Sequence, residues 1–140
     1  MDLHNNIQAL TVIYPRAAGV AAVGQVGKII DRRGYGMVEF ILSYGTISAT
    51  GTTCIPVVKE GDATGTMTSV ADTDLLGTEA NAALGVGAQV SGTNKNVVKR
   101  IGYKGIKRYV QVNLVPSVSD ALTVAASAIL GRPDRAPVAT

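Results

Sequence analysis

The chain has 140 residues, 46% of them hydrophobic and 16% charged, with a formal net charge of +3. That length holds one ordinary domain rather than two, and folding it would bury roughly 70% of the surface the extended chain exposes. The composition excludes a disordered chain, and an aromatic content of 4% without tryptophan argues against a stacking platform for single-stranded nucleic acid.

Taken in order, the elements are β almost throughout. Residues 1–7 read as an extended arm, and 9–14 and 25–30 as strands. From 37 to 44, Val38, Phe40, Leu42 and Tyr44 alternate with Met37, Glu39, Ile41 and Ser43, the period of a strand with one apolar face. Residues 53–58 and 67–71 are shorter strand candidates. Asp72-Thr73-Asp74-Leu75-Leu76 reads as a capped single helical turn, or a tight loop, ended by Gly77, and 81–94, with Gly85, Gly87 and Gly92, as a loop with room for one edge strand. Residues 97–103 and 108–115 are strands. For 122–130 a helix competes, because the run is alanine-rich, but its Val and Thr content and the Gly131-Arg132-Pro133 stop favour a strand. Residues 132–140 read as a second arm, restricted by Pro133 and Pro137. About eight short antiparallel strands without βαβ alternation predict an all-β chain, one two-sheet sandwich over 1–140.

Chemistry-bearing residues are few. Cysteine and histidine occur once each, as Cys54 and His4, so neither an intrachain disulfide nor the usual zinc set can form. A solvated terminal His4 and a buried structural Cys54 outweigh catalytic readings, since a general base must be held in fixed geometry. Gly27-Lys28 lacks the rest of a phosphate loop, and Gly85-Val86-Gly87 lacks the third glycine of a dinucleotide fingerprint. Asp72 and Asp74 are better read as turn-capping residues than as metal ligands. The expectation is a non-enzyme without metal or cofactor. The uncharged stretch 40–58 is rich in Thr, Ser and Gly, with Pro56, and would not make a membrane helix. With one cysteine and no signal-like start, a soluble chain made in the cytoplasm is expected.

The charge is uneven. Lys95, Lys99, Arg100, Lys104, Lys107 and Arg108 follow one another without an acid, while Glu60, Asp62, Asp72, Asp74 and Glu79 follow one another without a base. Segregated patches of both signs suit protein docking at least as well as phosphate binding. A solvated surface remains the commonest role for such a run.

Several short motifs, in order, carry a resemblance. They are Met1-Asp2-Leu3-His4-Asn5-Asn6-Ile7, Gly27-Lys28-Ile29-Ile30-Asp31-Arg32, the run from Ala71-Asp72-Thr73-Asp74 to Glu79-Ala80, Lys99-Arg100-Ile101-Gly102-Tyr103-Lys104-Gly105, and Gly131-Arg132-Pro133-Asp134-Arg135-Ala136-Pro137-Val138. From end to end the chain resembles the capsid cement, or decoration, proteins of tailed bacteriophages, departing from their pattern at 81–94. The resemblance implies a jelly roll that sits on the outside of an icosahedral head, clamps neighbouring major capsid protein subunits and acts as a homodimer, with no membrane partner and nucleic acid not expected. Within that role the candidate capsid contacts are Lys99, Arg100, Lys104, Lys107, Arg108, Arg132 and Arg135, together with the two arms. The rival readings are a carbohydrate-binding β-sandwich on the virion and a nucleic-acid binder using 95–108.

Overall fold

The computed structural model describes residues 2–85 and 96–135. The expected β-sandwich is present as two antiparallel sheets. The strands are β1 (Ile7–Ala17), β2 (Gln25–Val26), β3 (Ile30–Asp31), β4 (Tyr35–Ile47), β5 (Cys54–Gly61), β6 (Thr68–Ser69), β7 (Leu75–Leu76), β8 (Val97–Tyr103), β9 (Tyr109–Pro116) and β10 (Leu122–Pro133). Sheet A has the order β1-β10-β4-β8-β7. Sheet B has the order β2-β9-β5-β6, with β3 also on β9.

This order is that of a jelly roll. β1 pairs β10, β2 and β3 pair β9, β4 pairs β8 and β5 pairs β6, all antiparallel. Those are the pairings of one long hairpin. Wrapping it adds the two remaining contacts, β10 on β4 and β9 on β5. Among the described residues there are ten strands rather than about eight, for two reasons. The 25–30 segment breaks at Gly27 into β2 and β3, and Leu75–Leu76 adds a short edge. Nor are all of them short, since β1, β4 and β10 run 11, 13 and 12 residues.

The core lies between the sheets. Val38, Phe40, Leu42 and Tyr44 of β4 face inward, and β10 sets Ala128 opposite Phe40 and Ala126 opposite Leu42. Small residues beside large ones let the two strands fill the interior densely. Tyr44 is 1% exposed, and its hydroxyl donates to the Ala82 carbonyl at 2.9 Å, tying β4 to the four-residue helix α1 (Glu79–Ala82). Thr78 caps that helix by accepting from the Asn81 N–H. The open edge of β5 is closed by neighbours: Val58 N–H donates to Glu79 Oε1, Val70 N–H to the Val58 carbonyl, and Cys54 bridges Leu84.

Several local expectations are corrected. Asp72–Asp74 forms a 3-10 turn with Ala71 at its cap position and no side-chain capping bond, so the two aspartates do not cap. Gly77 does follow in the left-handed region, at φ +92°. The arms begin further out than the sequence suggests. His4–Asn6 is a 3-10 turn and Ile7 already pairs Gly131, while Arg132 and Pro133 are the last residues of β10. Of the 81–94 segment, 81–82 close α1 and Leu84 makes the bridge to Cys54. Residues 86–95, with Lys95, and the arm residues 136–140 lie outside the described residues.

The break at Gly27 yields a prediction. The Gln111 side chain donates to the Gly27 carbonyl at 2.6 Å and the Gly27 N–H donates to Asn113 Oδ1, and a Cβ at 27 would collide with the Val112 carbonyl and lie 2.6 Å from Val12 Cγ1. Gly27→Ala is expected to cost about 3 kcal/mol by overpacking. Gly65→Ala, which meets nothing within 4 Å, is expected to change stability by less than about 0.5 kcal/mol. Urea unfolding of both variants checks the pair, and equal midpoints would refute the claim.

Candidate functional site

The loops at one end of the sandwich gather most of the charge. Arg32 N–H donates to the Arg108 carbonyl, Lys104 N–H to the Asp74 carbonyl and Asp134 N–H to the Gly34 carbonyl. These bonds bring 31–35, 72–74, 104–108 and 132–135 together, and side-chain bonds to Glu60 and Asp62 add the 60–67 loop. Here the acidic and basic runs, separate in sequence, meet. Arg108 grips Asp31 with two bonds of 2.6 and 3.0 Å, and Lys107 Nζ reaches Asp62 at 2.6 Å. The guanidinium lowers the Asp31 carboxyl below the ordinary range, and each base is raised by its carboxylate partner.

Beneath them lies a polar hub. The buried Tyr103 donates its hydroxyl to Glu60 Oε2 in a short hydrogen bond and accepts from the Lys107 N–H at 3.0 Å. Arg32 stacks its guanidinium 5.3 Å from the Tyr103 ring centre and donates to the Gly105 carbonyl. Burial and then the Glu60 contact push the Tyr103 hydroxyl pKa up, so it stays a donor.

The seven candidate contacts therefore divide. Lys104, Lys107, Arg108, Arg132 and Arg135 lie at this end, but Lys107 and Arg108 hold its loops together by their ion pairs, and five aspartates share the space (Asp31, Asp62, Asp72, Asp74, Asp134). Lys99 and Arg100 sit in mid-β8 on opposite sides of sheet A, Lys99 turned inward toward α1 and Arg100 outward. The basic run is not one patch. Two of its charges, Lys107 and Arg108, are paired closely with aspartates within the chain.

The outward side of sheet A went unmarked in the sequence. Register places Ala9, Ile129, Glu39, Gly102 and Leu76 in one row across all five strands, with Ile41 beside Arg100 and Ser43 beside Val98 in the next rows. Met37, Leu76 and Val98 are 47, 49 and 64% exposed. Among the described residues this side of the sheet carries one acid and one base in its middle. Glu39 lies over Gly102, where a Cβ would meet its carboxylate, and Arg100 Nε approaches it to 3.9 Å. Burial raises the Glu39 carboxyl above its usual value, and Arg100 opposes that shift. A signal was present, since Met37 and Ile41 are apolar on the half of the alternation read as polar, and the 19 residues of 40–58 carry no charge.

Cys54 is fully buried and its thiol is pushed up to about 12 by that burial, which keeps it protonated and unreactive. His4 is exposed on its 3-10 turn. Among the described residues no cluster of His, Cys, Asp or Glu could hold a metal ion, and each buried side-chain polar atom has a hydrogen-bond partner. No helix among them is long and apolar enough to cross a membrane.

In fold, the chain is similar to the SPBc2 prophage-derived protein YomS, with a TM-score of 0.51 and 13% identity over 91% of this chain and 94% of that one. Weaker likenesses are to the CBM22-1–GH10 modules of Clostridium thermocellum endo-1,4-β-D-xylanase 10B (TM-score 0.49, 12% identity, 98% of this chain and 28% of that one) and to the TNF Eiger of S. frugiperda (0.38, 9%, 97% and 92%). At such identities the likeness is one of fold alone. No protein-family model matches the chain, and no curated protein sequence does.

The Asp31–Arg108 pair predicts a pH dependence. Asp31 binds its proton less tightly folded than unfolded, so the stability it adds is present above about pH 3.9 and is lost as pH falls through its depressed value. Urea midpoints measured between pH 6 and 2 should fall more steeply for the wild type than for Arg108→Ala. Parallel curves would show that the pair contributes nothing.

Proposed function

We propose that this chain is a non-enzymatic structural protein of a bacteriophage particle, which binds the outside of an icosahedral head as a homodimer and clamps neighbouring major capsid protein subunits. The observation that carries this reading is the jelly-roll wrap, shared along most of its length with a prophage-derived protein. The motif resemblance to capsid cement proteins points the same way. The polar inventory supports it too: Glu60, Asp62, Glu79, Tyr103, Lys107 and Arg108 each bond to another part of the chain, so these groups stabilise the fold rather than form an open catalytic cleft.

The ring inventory favours a protein partner over a glycan. Phe40, Tyr44 and Tyr103 are core residues, Tyr35 and Tyr109 are half-buried with Arg108 stacked on Tyr109, and Tyr14, 56% exposed, is bonded to and stacked on Arg16 rather than set in a row of exposed rings.

Stabilisation of a shell follows from linkage. A protein that binds the intact lattice and not its separated subunits shifts the equilibrium away from rupture. Bridging two subunits makes the second contact intramolecular, so weak individual contacts suffice.

Co-sedimentation with capsid shells lacking this chain is the test. Binding should saturate at a fixed ratio per capsid subunit and raise the temperature at which the shells rupture. No binding at any ratio would overturn the reading.

A further inference from the structure

We infer that the docking surface is the outward face of sheet A, a flat and almost uncharged platform centred on Glu39 and Arg100, and that it takes a flat apolar protein surface presenting a carboxylate to Arg100. The inference rests on the reading of this chain as a shell-binding protein and names the surface that does the binding.

An antiparallel sheet with one side on the core ordinarily turns polar residues to water on the other. Here the solvent side of the two central strands carries Met37, Ile41 and Ile129, and the neighbouring β8 adds Val98 at 64% exposure. Ala9, Ala125, Ser127, Ser43 and the glycines among them are small residues between these apolar side chains. The four longer strands, about 4.8 Å apart and paired along roughly 23 Å of β4, with the two-residue β7 at one edge, make a face of about 300 Å². An apolar patch of that size on a monomer is often functional. It falls short of the roughly 800 Å² per partner of a stable free-standing complex, so it suits a contact repeated over a lattice better than a second copy in solution.

The charges specify the partner further. Arg100 has an 80% exposed side chain, approaches Glu39 only to 3.9 Å and makes no side-chain hydrogen bond to another described residue. Its planar donors point outward, where a carboxylate can take two of them. Glu39 is held down over Gly102 beside Leu76, so its charge lies low among apolar groups and offsets Arg100 without filling it.

The test compares four full-length chains in co-sedimentation with shells: wild type, Met37→Glu/Val98→Glu, Arg100→Glu and Lys104→Glu/Arg135→Glu. Near-UV circular dichroism checks each fold, and the exposed positions chosen should leave it unchanged. The double platform variant is expected to lose at least about tenfold in affinity, and Arg100→Glu about tenfold, with Lys104→Glu/Arg135→Glu close to wild type. If wild type binds and the platform variants bind equally well, the platform assignment falls while the shell-binding reading stands. The platform assignment also falls if only Lys104→Glu/Arg135→Glu loses binding. If wild type does not bind shells, the shell-binding reading falls and takes the inference with it. Sedimentation velocity of the free chains adds a further outcome: a wild-type dimer made monomeric by Met37→Glu/Val98→Glu would mean that a second copy covers the platform, and would overturn the partner named here.

Discussion

Sheet A can close only when the last strand lies between the first and the fourth. β10 pairs β1 on one side, from Ile7 with Gly131 to Ala17 with Thr123, and β4 on the other, from Pro133 with Tyr35 to Leu122 with Ile47. These partners are separated by about a hundred residues of chain, so the loop-closure cost comes before the reward of packing. Once β10 is in place it supplies the small inner residues, Ala126 and Ala128, into which Phe40 and Leu42 fit, and it completes the row of outer residues that makes the platform. Core and candidate interface thus depend on the same insertion.

The polar chemistry of the chain follows from the same closure. Wrapping the hairpin brings the 60–67 loop, the 31–34 turn and the 104–108 turn to one end, where each would otherwise leave charged side chains and backbone donors to water. Instead Tyr103 links Glu60 to the Lys107 amide, while Lys107 and Arg108 reach Asp62 and Asp31. Exposed ion pairs of this kind add little stability one by one. Their effect is to fix the loops in one arrangement.

What remains for recognition is a surface rather than a cleft. A jelly roll has two outer sides and two ends. In this chain one end has two of its bases paired with aspartates and its central polar groups bonded to one another, whereas the outer side of sheet A carries one acid and one base in its middle. A flat side suits binding to a repeated surface, where many modest contacts act together and no single deep pocket is required.

Much of the fold was legible in the sequence because alternation is a local property. Val38 to Tyr44 and Tyr109 to Val115 reveal their inner residues by period two alone, and the β-branched content of 122–130 favours a strand over a helix despite its alanines. Local pattern also located the turns at Gly34 and Gly77. It could not say that Gly27 would break one strand into two, because that depends on the backbone of β9 passing beside it. Nor could it tell which acids the basic run would meet, since Lys107 and Asp62 are 45 residues apart and Arg108 and Asp31 are 77 apart. The candidate site suffered most from this limit. Arg100 was singled out for its charge, but its neighbours Ile41, Glu39, Ile129 and Leu76 come from three other strands. The sequence by itself determined which residues turn toward the core, because burial of an apolar face follows from each strand's own alternation. Only the tertiary structure decided what the opposite faces would jointly present, because strand order and register, set by long-range pairing, place those residues side by side.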